Sequence, residues 1–226
     1  MSRIGGRTHL LAIALPLMLV LGCWQVGSGL WIYAKARLAQ YLLQRAWSRT
    51  LTGEANVKPW PWADTWPIAR LIVPSQHIDL IVLEGAYGRT LAFGPGRLES
   101  NASHRETGPT ILTGHRDTHF AFLQHLRVGD HLVLQSSHGE YISYRIRETR
   151  IVDAGTGFIP TQNEGLRLIL ATCYPFNSPI PGGPLRYVVT ADAERMEKNR
   201  NDSEQVSLKI SGGSSSWSST ATAARD

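Results

Sequence analysis

The hydrophobic residues of the chain first occur as one uninterrupted apolar run near the N-terminus. From Leu10 to Ala34 no residue is charged, and only Gln25 and Ser28 are clearly polar. As an α-helix this run would extend about 37 Å, which is enough for a tilted crossing of a bilayer. The pattern therefore predicts a transmembrane signal-anchor helix at residues 10–34, preceded by a short N-terminal segment, residues 1–9.

Two other interpretations of the run are a cleaved secretion signal and a lipoprotein signal that ends at Cys23. In both cases the sequence should become polar soon after a small-residue site. Here the apolar character continues beyond Cys23 through Trp24, Leu30 and Tyr33. The uncleaved anchor is therefore the favoured interpretation.

Residues 35–66 connect the apolar run to the rest of the chain. Lys35 to Leu51 continues as a basic, partly amphipathic helix, which we interpret as a stalk. Asn56 to Trp66 reads NVKPWPWADTW, and its prolines prevent a continuous helix, so we predict an extended linker there. The tryptophans of this linker are expected to pack on the folded domain or to lie at the membrane interface, in preference to recognising substrate; they are Trp60, Trp62 and Trp66.

From residue 67 onward the hydrophobic positions form short β-rich runs that are separated by turn residues. The predicted strands are Ala69 to Val73, Ile78 to Leu83, Thr110 to Gly114, His131 to Gln135, Tyr141 to Asp153, Arg167 to Thr172 and Leu185 to Ala191. Two short helical pieces fit around 90–93 and 120–126. Seven or eight short strands with few helices predict a β-sandwich or a barrel over 67–195. Residues 196–226 end in a Ser-rich, low-complexity sequence that we expect to be disordered.

Composition and charge exclude several classes of protein. The chain is 42% hydrophobic, which is too apolar for a disordered protein. Its net charge of +5 comes from the residues before Thr65, because acidic and basic residues are equal in number after it. Basic residues beside an apolar run indicate a membrane rather than a nucleic acid as the partner. With only two cysteines, Cys23 and Cys173, the chain has neither a disulfide framework nor a cysteine-based zinc site.

Three chemically versatile residues stand at or near the ends of apolar strands. His115 follows ILTG, Cys173 follows LILAT, and Arg186 opens LRYVVT. A cysteine thiolate is a nucleophile, a histidine transfers protons, and an always-charged arginine stabilises an oxyanion or binds a peptide backbone. Taken alone, a buried cysteine is more often a small hydrophobic residue, and a single histidine is usually structural.

The combined pattern resembles the sortase family. It consists of TGHRDTHF at 113–120, LATCYPF at 170–176, and Arg186 on the following strand. The family has a TLxTC-like motif, and here Ile169 replaces its first threonine. The strings GLWIYAKARLAQ, PWPWADTWPIARL, RTLAFGPG and PGGPLRYVVTA are similar to the sortase subgroup of Gram-negative marine proteobacteria.

The resemblance implies a mainly β fold, namely a sortase-type eight-stranded β-barrel with short helices, preceded by one transmembrane helix. It also implies a cysteine transpeptidase of the thiol peptidase class. Cys173 would be the nucleophile that forms a thioacyl enzyme, and His115 the general acid and base. Arg186 would contact the substrate and the oxyanion, and Thr172 would offer a hydroxyl or backbone contact to either.

The resemblance further implies a partner and a location. The partner would be a protein with an LPxTG-like C-terminal sorting signal, and the amine acceptor is left open. Because Lys and Arg flank the apolar run on both sides, charge alone does not orient it. The family's direction places residues 1–9 in the cytoplasm and the catalytic domain on the periplasmic side of the inner membrane.

Other functions fit the sequence less well. His115, Asp117 and His119 form an HxDxH pattern at a strand end, but without a further ligand cluster we predict no metal site and no cofactor. We also see no acidic cluster that would bind calcium. A catalytically silent, membrane-tethered peptide-binding barrel would not need a nucleophile. Other cysteine enzymes, such as the L,D-transpeptidases, carry their cysteine in an SxGC-like context, whereas Cys173 lies in ATCYPF.

Overall fold

The N-terminal apolar run is part of one long helix. The structure is a computed structural model that describes residues 4–98, 109–155, 166–180 and 182–194, with side chains from residue 15 onward. Helix α1 covers Ile4–Leu51 without a break. From Leu15 it is long and apolar enough to cross a membrane, and its most apolar stretch has no buried residues. The helix is thus a candidate membrane anchor, as the hydrophobic pattern predicts.

The character of α1 changes near residue 39. Side chains from 15 to 38 are exposed, whereas one face of the following segment is buried. Spacings of three and four residues place these buried side chains on a single helical stripe; they are Ala39, Leu43, Ala46, Trp47 and Thr50. This stripe packs against the first two strands of the barrel. The segment interpreted as a stalk is therefore docked on the folded domain.

Eight strands form a closed barrel, which confirms the predicted fold class. They are β1 (Pro67–Val73), β2 (Ile78–Glu84), β3 (Gly96–Arg97), β4 (Thr110–Thr113), β5 (His131–Ser136), β6 (Tyr141–Asp153), β7 (Arg167–Cys173) and β8 (Leu185–Ala193). The order around the barrel is β1-β2-β3-β4-β7-β8-β6-β5. The pairs β2–β3 and β4–β7 are parallel, and the other six are antiparallel.

Strand β3 is the one strand of the barrel that the sequence pattern does not predict. It has two residues, too few for an alternating pattern, and it forms only by pairing between Leu83 and Thr113. A Cβ atom on Gly96 would lie 2.1 Å from the carbonyl oxygen of Gly85, so only glycine fits there. Close backbone contact therefore determines this strand.

The helical pieces are short. Helix α2 covers Gly88–Leu91, and a 3₁₀ helix covers Ala121–His125. Both overlap the predicted helical pieces at 90–93 and 120–126. A second 3₁₀ helix, Pro74–Gln76, connects β1 to β2.

The barrel interior is filled by large aliphatic and aromatic side chains. Fully buried members include Leu71, Leu112, Phe120, Leu123, Leu132, Leu168, Leu170 and Val189. Each contributes about 1.5–3 kcal/mol of burial free energy relative to an exposed side chain. A smaller apolar cluster of Ile111, Ile169 and Val188 lies on the other face of β4, β7 and β8. These three strands thus form a wall that is packed on both faces.

The linker between α1 and β1 packs closely on the barrel. The ring of Trp60 contacts the ring of Phe93 edge to face, with 4.9 Å between centroids. The Thr65 hydroxyl donates a hydrogen bond of 2.7 Å to the carbonyl of Glu84. Trp62 is 79% exposed, in contrast to the other two tryptophans of the linker. The predicted disordered tail, residues 196–226, lies outside the described residues.

Candidate active site

The three strand-end residues converge because β4, β7 and β8 are neighbours. Strands β4 and β7 run parallel, so their C-terminal ends lie at the same end of the barrel, and the antiparallel β8 begins there. Thr113 pairs with Ala171, two residues before His115 and Cys173, respectively. Cys173 pairs directly with Arg186. The register thus gathers the predicted residues at one rim of the wall.

Cys173 and Arg186 also share a face of that wall. Side chains alternate between faces along a strand, so Cys173 lies on the same face as Ile169, and Arg186 on the same face as Val188. Ile169 and Val188 belong to the smaller apolar cluster outside the barrel interior. The residues of a directly opposed pair have Cβ atoms about 4.5–5.5 Å apart. The side chains of Cys173 and Arg186 therefore start from neighbouring positions on one face of the wall, beside an apolar surface.

The local structure at Cys173 leaves the sulfur free. Cys173 is the last residue of β7, it is half-buried, and its thiol forms no disulfide. Beyond it, the Tyr174 amide donates a 3.0 Å hydrogen bond to the carbonyl of Leu185. The antiparallel pairing with β8 thus continues past the cysteine and holds its backbone on both sides.

His115 is exposed at the start of a tight loop. Its carbonyl oxygen accepts hydrogen bonds from the amides of Thr118 (3.3 Å) and Phe120 (3.0 Å). Phe120 is fully buried, and a Cβ atom on Gly114 would lie 3.0 Å from its ring. Glycine therefore lets the chain pass over this ring directly before the histidine.

The Arg186 guanidinium is fixed by backbone carbonyls. Its Nη1 donates to the oxygens of Gly183 (2.7 Å) and Leu185 (2.9 Å). Both of its hydrogen bonds within the described part of the chain use Nη1, which leaves Nε and Nη2 as donors for a ligand. The side chain is half-buried and thus held in place while still reachable.

Thr172 connects the cysteine strand to the histidine loop. Its side chain is 1% exposed, and its hydroxyl donates a 2.7 Å hydrogen bond to the carbonyl of Gly114. The Gly114 amide in turn donates to Ala171, at 3.4 Å. The structure therefore gives this hydroxyl a partner within the protein, next to both His115 and Cys173.

Arg116 is a site residue that the sequence analysis does not single out. Its side chain is only 4% exposed, and its guanidinium donates to three backbone carbonyls of the loop that follows Cys173. These bonds reach the oxygens of Pro175 (2.7 Å), Ser178 (2.7 Å) and Ile180 (3.0 Å). Its Nε also donates to the exposed carboxylate of Asp117, at 3.1 Å. The position directly after His115 is the only signal in the sequence, because the three carbonyl partners lie about sixty residues away.

The second histidine of the HxDxH pattern is half-buried. Burial lowers the pKa of His119 below its ordinary value of 6.5, and the nearby His115 lowers it further. A hydrogen bond to the backbone of Ala92 acts in the opposite direction. Within the described ranges, no group of three His, Cys, Asp or Glu side chains is arranged to hold a metal ion.

An aromatic residue directly follows Cys173 in the chain, and another follows Arg186. Tyr174 stacks on Tyr187 with 6.3 Å between centroids, and Phe176 contacts Tyr187 edge to face at 5.2 Å. Tyr187 is the residue after Arg186, and Tyr174 the residue after Cys173. Tyr187 alternates with Arg186 and Val188 along β8, and both Tyr187 and Phe176 pack against the barrel core. These rings thus support the rim from the interior side, opposite the face that carries Cys173 and Arg186.

A protein-family model matches more than half of the chain. Residues 71–194 match the family model described as the sortase domain. Sortase D of Bacillus subtilis (strain 168) is 39% identical over 120 residues, which are 53% of this chain and 60% of that protein. The chain thus spans less than two thirds of the length of this relative.

Solved structures share the fold. Sortase A of Corynebacterium diphtheriae superposes with a TM-score of 0.53 at 21% identity, covering 62% of this chain and 66% of that one. A Clostridium perfringens sortase D5 transpeptidase has a TM-score of 0.54 at 20% identity, covering 70% and 99%. Sortase A of Listeria monocytogenes has a TM-score of 0.51 at 22% identity, covering 62% and 95%.

Proposed function

Because the chain belongs to the sortase family, we propose that it is a membrane-anchored cysteine transpeptidase. The enzyme cleaves an LPxTG-like C-terminal sorting signal of a protein substrate and transfers that protein to an amine acceptor. The cross-strand pair of Cys173 and Arg186, next to the His115 loop, is the observation that carries the proposal. This pairing supports a site in which Cys173 is the nucleophile, Arg186 a fixed donor and His115 the proton carrier.

In the first half-reaction, the Cys173 thiolate attacks the carbonyl carbon of the scissile peptide bond. The carbon–nitrogen bond breaks, a thioester forms, and His115 gives its proton to the leaving amine. In the second half-reaction, the acceptor amine attacks the thioester carbonyl and loses a proton to His115. The thiolate then leaves, so the enzyme returns to its starting protonation state.

Arg186 supplies a fixed positive charge during both half-reactions. Its Nη1 is held by two backbone carbonyls, so Nε and Nη2 are oriented before the substrate binds. We assign these donors to the oxyanion or to the substrate backbone. Because the Thr172 hydroxyl already donates to Gly114, we assign Thr172 a positioning role. Its contact with substrate or oxyanion, as the resemblance implies, stays a prediction.

The proposed location is the inner membrane, with a single pass and the barrel on the periplasmic side. Helix α1 supports the anchor by its length and apolar surface. Near the end of the apolar run, Lys35 lies over the ring of Trp31 and Arg37 over the ring of Tyr33. Aromatic and basic residues of this kind are typical of a membrane–water interface. Membership in the Gram-negative subgroup rests on the four sequence strings given above.

The test compares Cys173→Ala with Cys23→Ala in the full chain. We expect an alkylating probe to label the Cys23→Ala protein at the active site and to leave Cys173→Ala unlabelled there. With an LPxTG peptide and an amine donor, mass spectrometry should detect the transpeptidation product only when Cys173 is present. Both variants should remain folded, because Cys173 lies at a rim and not in the core.

The outcomes separate the competing functions. Probe labelling without any product from sorting peptides would favour a different cysteine peptidase or transpeptidase. Peptide binding without labelling would favour a catalytically silent binding barrel. Product formation by the Cys173→Ala protein at the native rate would contradict the mechanism.

A further inference from the structure

Helix α1 connects the proposed membrane span to the active site through a short series of contacts. The first is a hydrogen bond of 2.9 Å that the Gln40 side chain donates to the carbonyl of Phe93. The neighbouring residue, Ala92, has its backbone close enough to the His119 side chain to raise the pKa of that histidine. His119 lies between Thr118 and Phe120, whose amides both bind the carbonyl of His115. Only two short segments, 92–93 and 115–120, therefore separate α1 from the proposed catalytic histidine.

The docking begins very close to the expected membrane surface. The interfacial pairs of α1 end at Arg37, whose Nε also donates 2.8 Å to the Tyr33 hydroxyl. The buried stripe of α1 begins at Ala39, and Gln40 follows immediately. At 1.5 Å per residue, Gln40 lies about 5 Å along the helix from Arg37. Within the described ranges, no turn or break separates the interfacial residues from the docked stripe.

The docked part of α1 is well fixed on the barrel. Leu43 is 1% exposed and Trp47 is 5% exposed, and α1 and the barrel belong to one compact unit. Trp60, which follows α1 in the chain, contacts the Phe93 ring. The contact point of α1 is thus held by the helix, by the linker and by the histidine loop together.

We propose that α1 is a rigid strut that holds the active site at a fixed height and orientation just above the membrane surface. The inference rests on the proposed membrane anchoring and extends it, because an anchor alone requires only a flexible tether. A continuous helix with a buried face fixes the position of the barrel relative to the membrane. A flexible tether would instead let the barrel diffuse around its attachment point. The strut would present the rim with Cys173 to polypeptide that emerges from the same bilayer.

The experiment measures the height of Cys173 above a bilayer. The full chain with Cys23→Ala carries a fluorescent donor on Cys173 and is reconstituted into vesicles whose lipid headgroups carry an acceptor. Time-resolved energy transfer then gives the distance and its distribution. We expect one narrow distribution for this protein.

Two insertions of seven residues between Arg37 and Leu38 change the strut. An Ala/Glu/Lys insertion adds about two helical turns, keeps the buried stripe in register, and should raise Cys173 by about 10 Å. A Gly/Ser insertion of the same length should broaden the distribution instead. The matched control places the Ala/Glu/Lys residues after His138, in the exposed β5–β6 turn, where the height should not change.

The distance measurement tests the strut without any need for enzyme activity. An unchanged height after the helical insertion would overturn the strut, as would a distribution in the parent protein as broad as in the Gly/Ser variant. A narrow, insertion-dependent height of the labelled protein, together with no transpeptidation product from the unlabelled protein, would contradict the proposed transpeptidase and leave the strut intact. Release of the protein from vesicles by carbonate would refute the proposed anchor and the strut together.

Discussion

Replacing Arg116 with methionine removes the main connection between the histidine loop and the loop after Cys173. Methionine replaces the aliphatic part of the side chain and has no hydrogen-bond donor, so it leaves three carbonyls without their donor. These carbonyls belong to Pro175, Ser178 and Ile180. The exposed carboxylate of Asp117 loses a partner as well, but solvent screens that pair.

The expected loss in the free energy of unfolding follows from the number of these hydrogen bonds and from their exposure to water. A hydrogen bond to a charged group contributes about 1.5–3 kcal/mol net. The loop that carries the three acceptors is partly exposed, so water replaces part of the loss. We therefore expect a loss of about 3 kcal/mol rather than the sum, which lowers the melting temperature by about 6–12 °C for a domain of this size. A misplacement of about 1 Å between the two loops would also slow transpeptidation by about 10²-fold.

The assay is thermal unfolding of the full chain in detergent, followed by circular dichroism, together with initial rates measured well below the melting temperature. Arg116→Lys should recover part of the stability, because an ammonium group reaches fewer carbonyls than the planar guanidinium. The matched control is Arg127→Met, at an exposed arginine beyond the same loop. If Arg116→Met behaved like this control in both measurements, the reasoning about the two loops would be wrong.

Three further predictions concern the same site. Thr172→Val should cost about 1–3 kcal/mol in chemical denaturation, because the Gly114 carbonyl loses a buried donor, whereas Thr172→Ser should stay close to the native protein. His115→Gln should slow both half-reactions by about 10²–10⁴-fold and abolish the bell-shaped pH profile of the transpeptidation rate. Arg186→Lys should also lower this rate, but its pH optimum should not move. The reverse pattern would mean that the roles of His115 and Arg186 are exchanged. His119 has a pKa below 6.5 in the folded state, so the unfolded chain binds more protons as the pH falls through 6.5. The stability contributed by His119 is thus present above pH 6.5 and lost below it, and His119→Gln should flatten this part of the stability–pH curve; an equally steep curve would contradict the assignment.

The sequence predicts those parts of the fold that depend on local pattern. Alternation and turn residues predict seven strands, and the apolar run predicts the helix at the N-terminus. Strand β3 could not be found in this way, because Gly96 and Arg97 acquire their strand geometry only from pairing partners and from the absence of a side chain at Gly96. The docking of α1 is not predicted either, since the apolar stripe of Ala39, Leu43 and Ala46 does not reveal what it packs against.

The sequence predicts those residues of the candidate site that stand at the ends of apolar strands. The structure explains why other residues of the site cannot be predicted in this way. His115, Cys173 and Arg186 stand out because each follows or opens an apolar strand, which is a local feature. Arg116 follows no such rule. A buried charge needs several acceptors, and here all three carbonyls come from a loop brought near by the β4–β7 pairing. Its role is therefore a property of the tertiary structure.

The register of β7 determines both which side chains fill the barrel interior and which side chain lies at the candidate active site. On β7, Leu168, Leu170 and Thr172 face the interior, so Ile169 and Cys173 face the other side. A shift of β7 by one residue would turn Cys173 into the core and leave Thr172 on the reactive face. The interior leucines oppose such a shift through their burial, and the bond from Thr172 to Gly114 opposes it through its geometry. The residues that stabilise the wall of β4, β7 and β8 thus also determine that the thiol, and not the hydroxyl, lies on the same face as the Arg186 side chain.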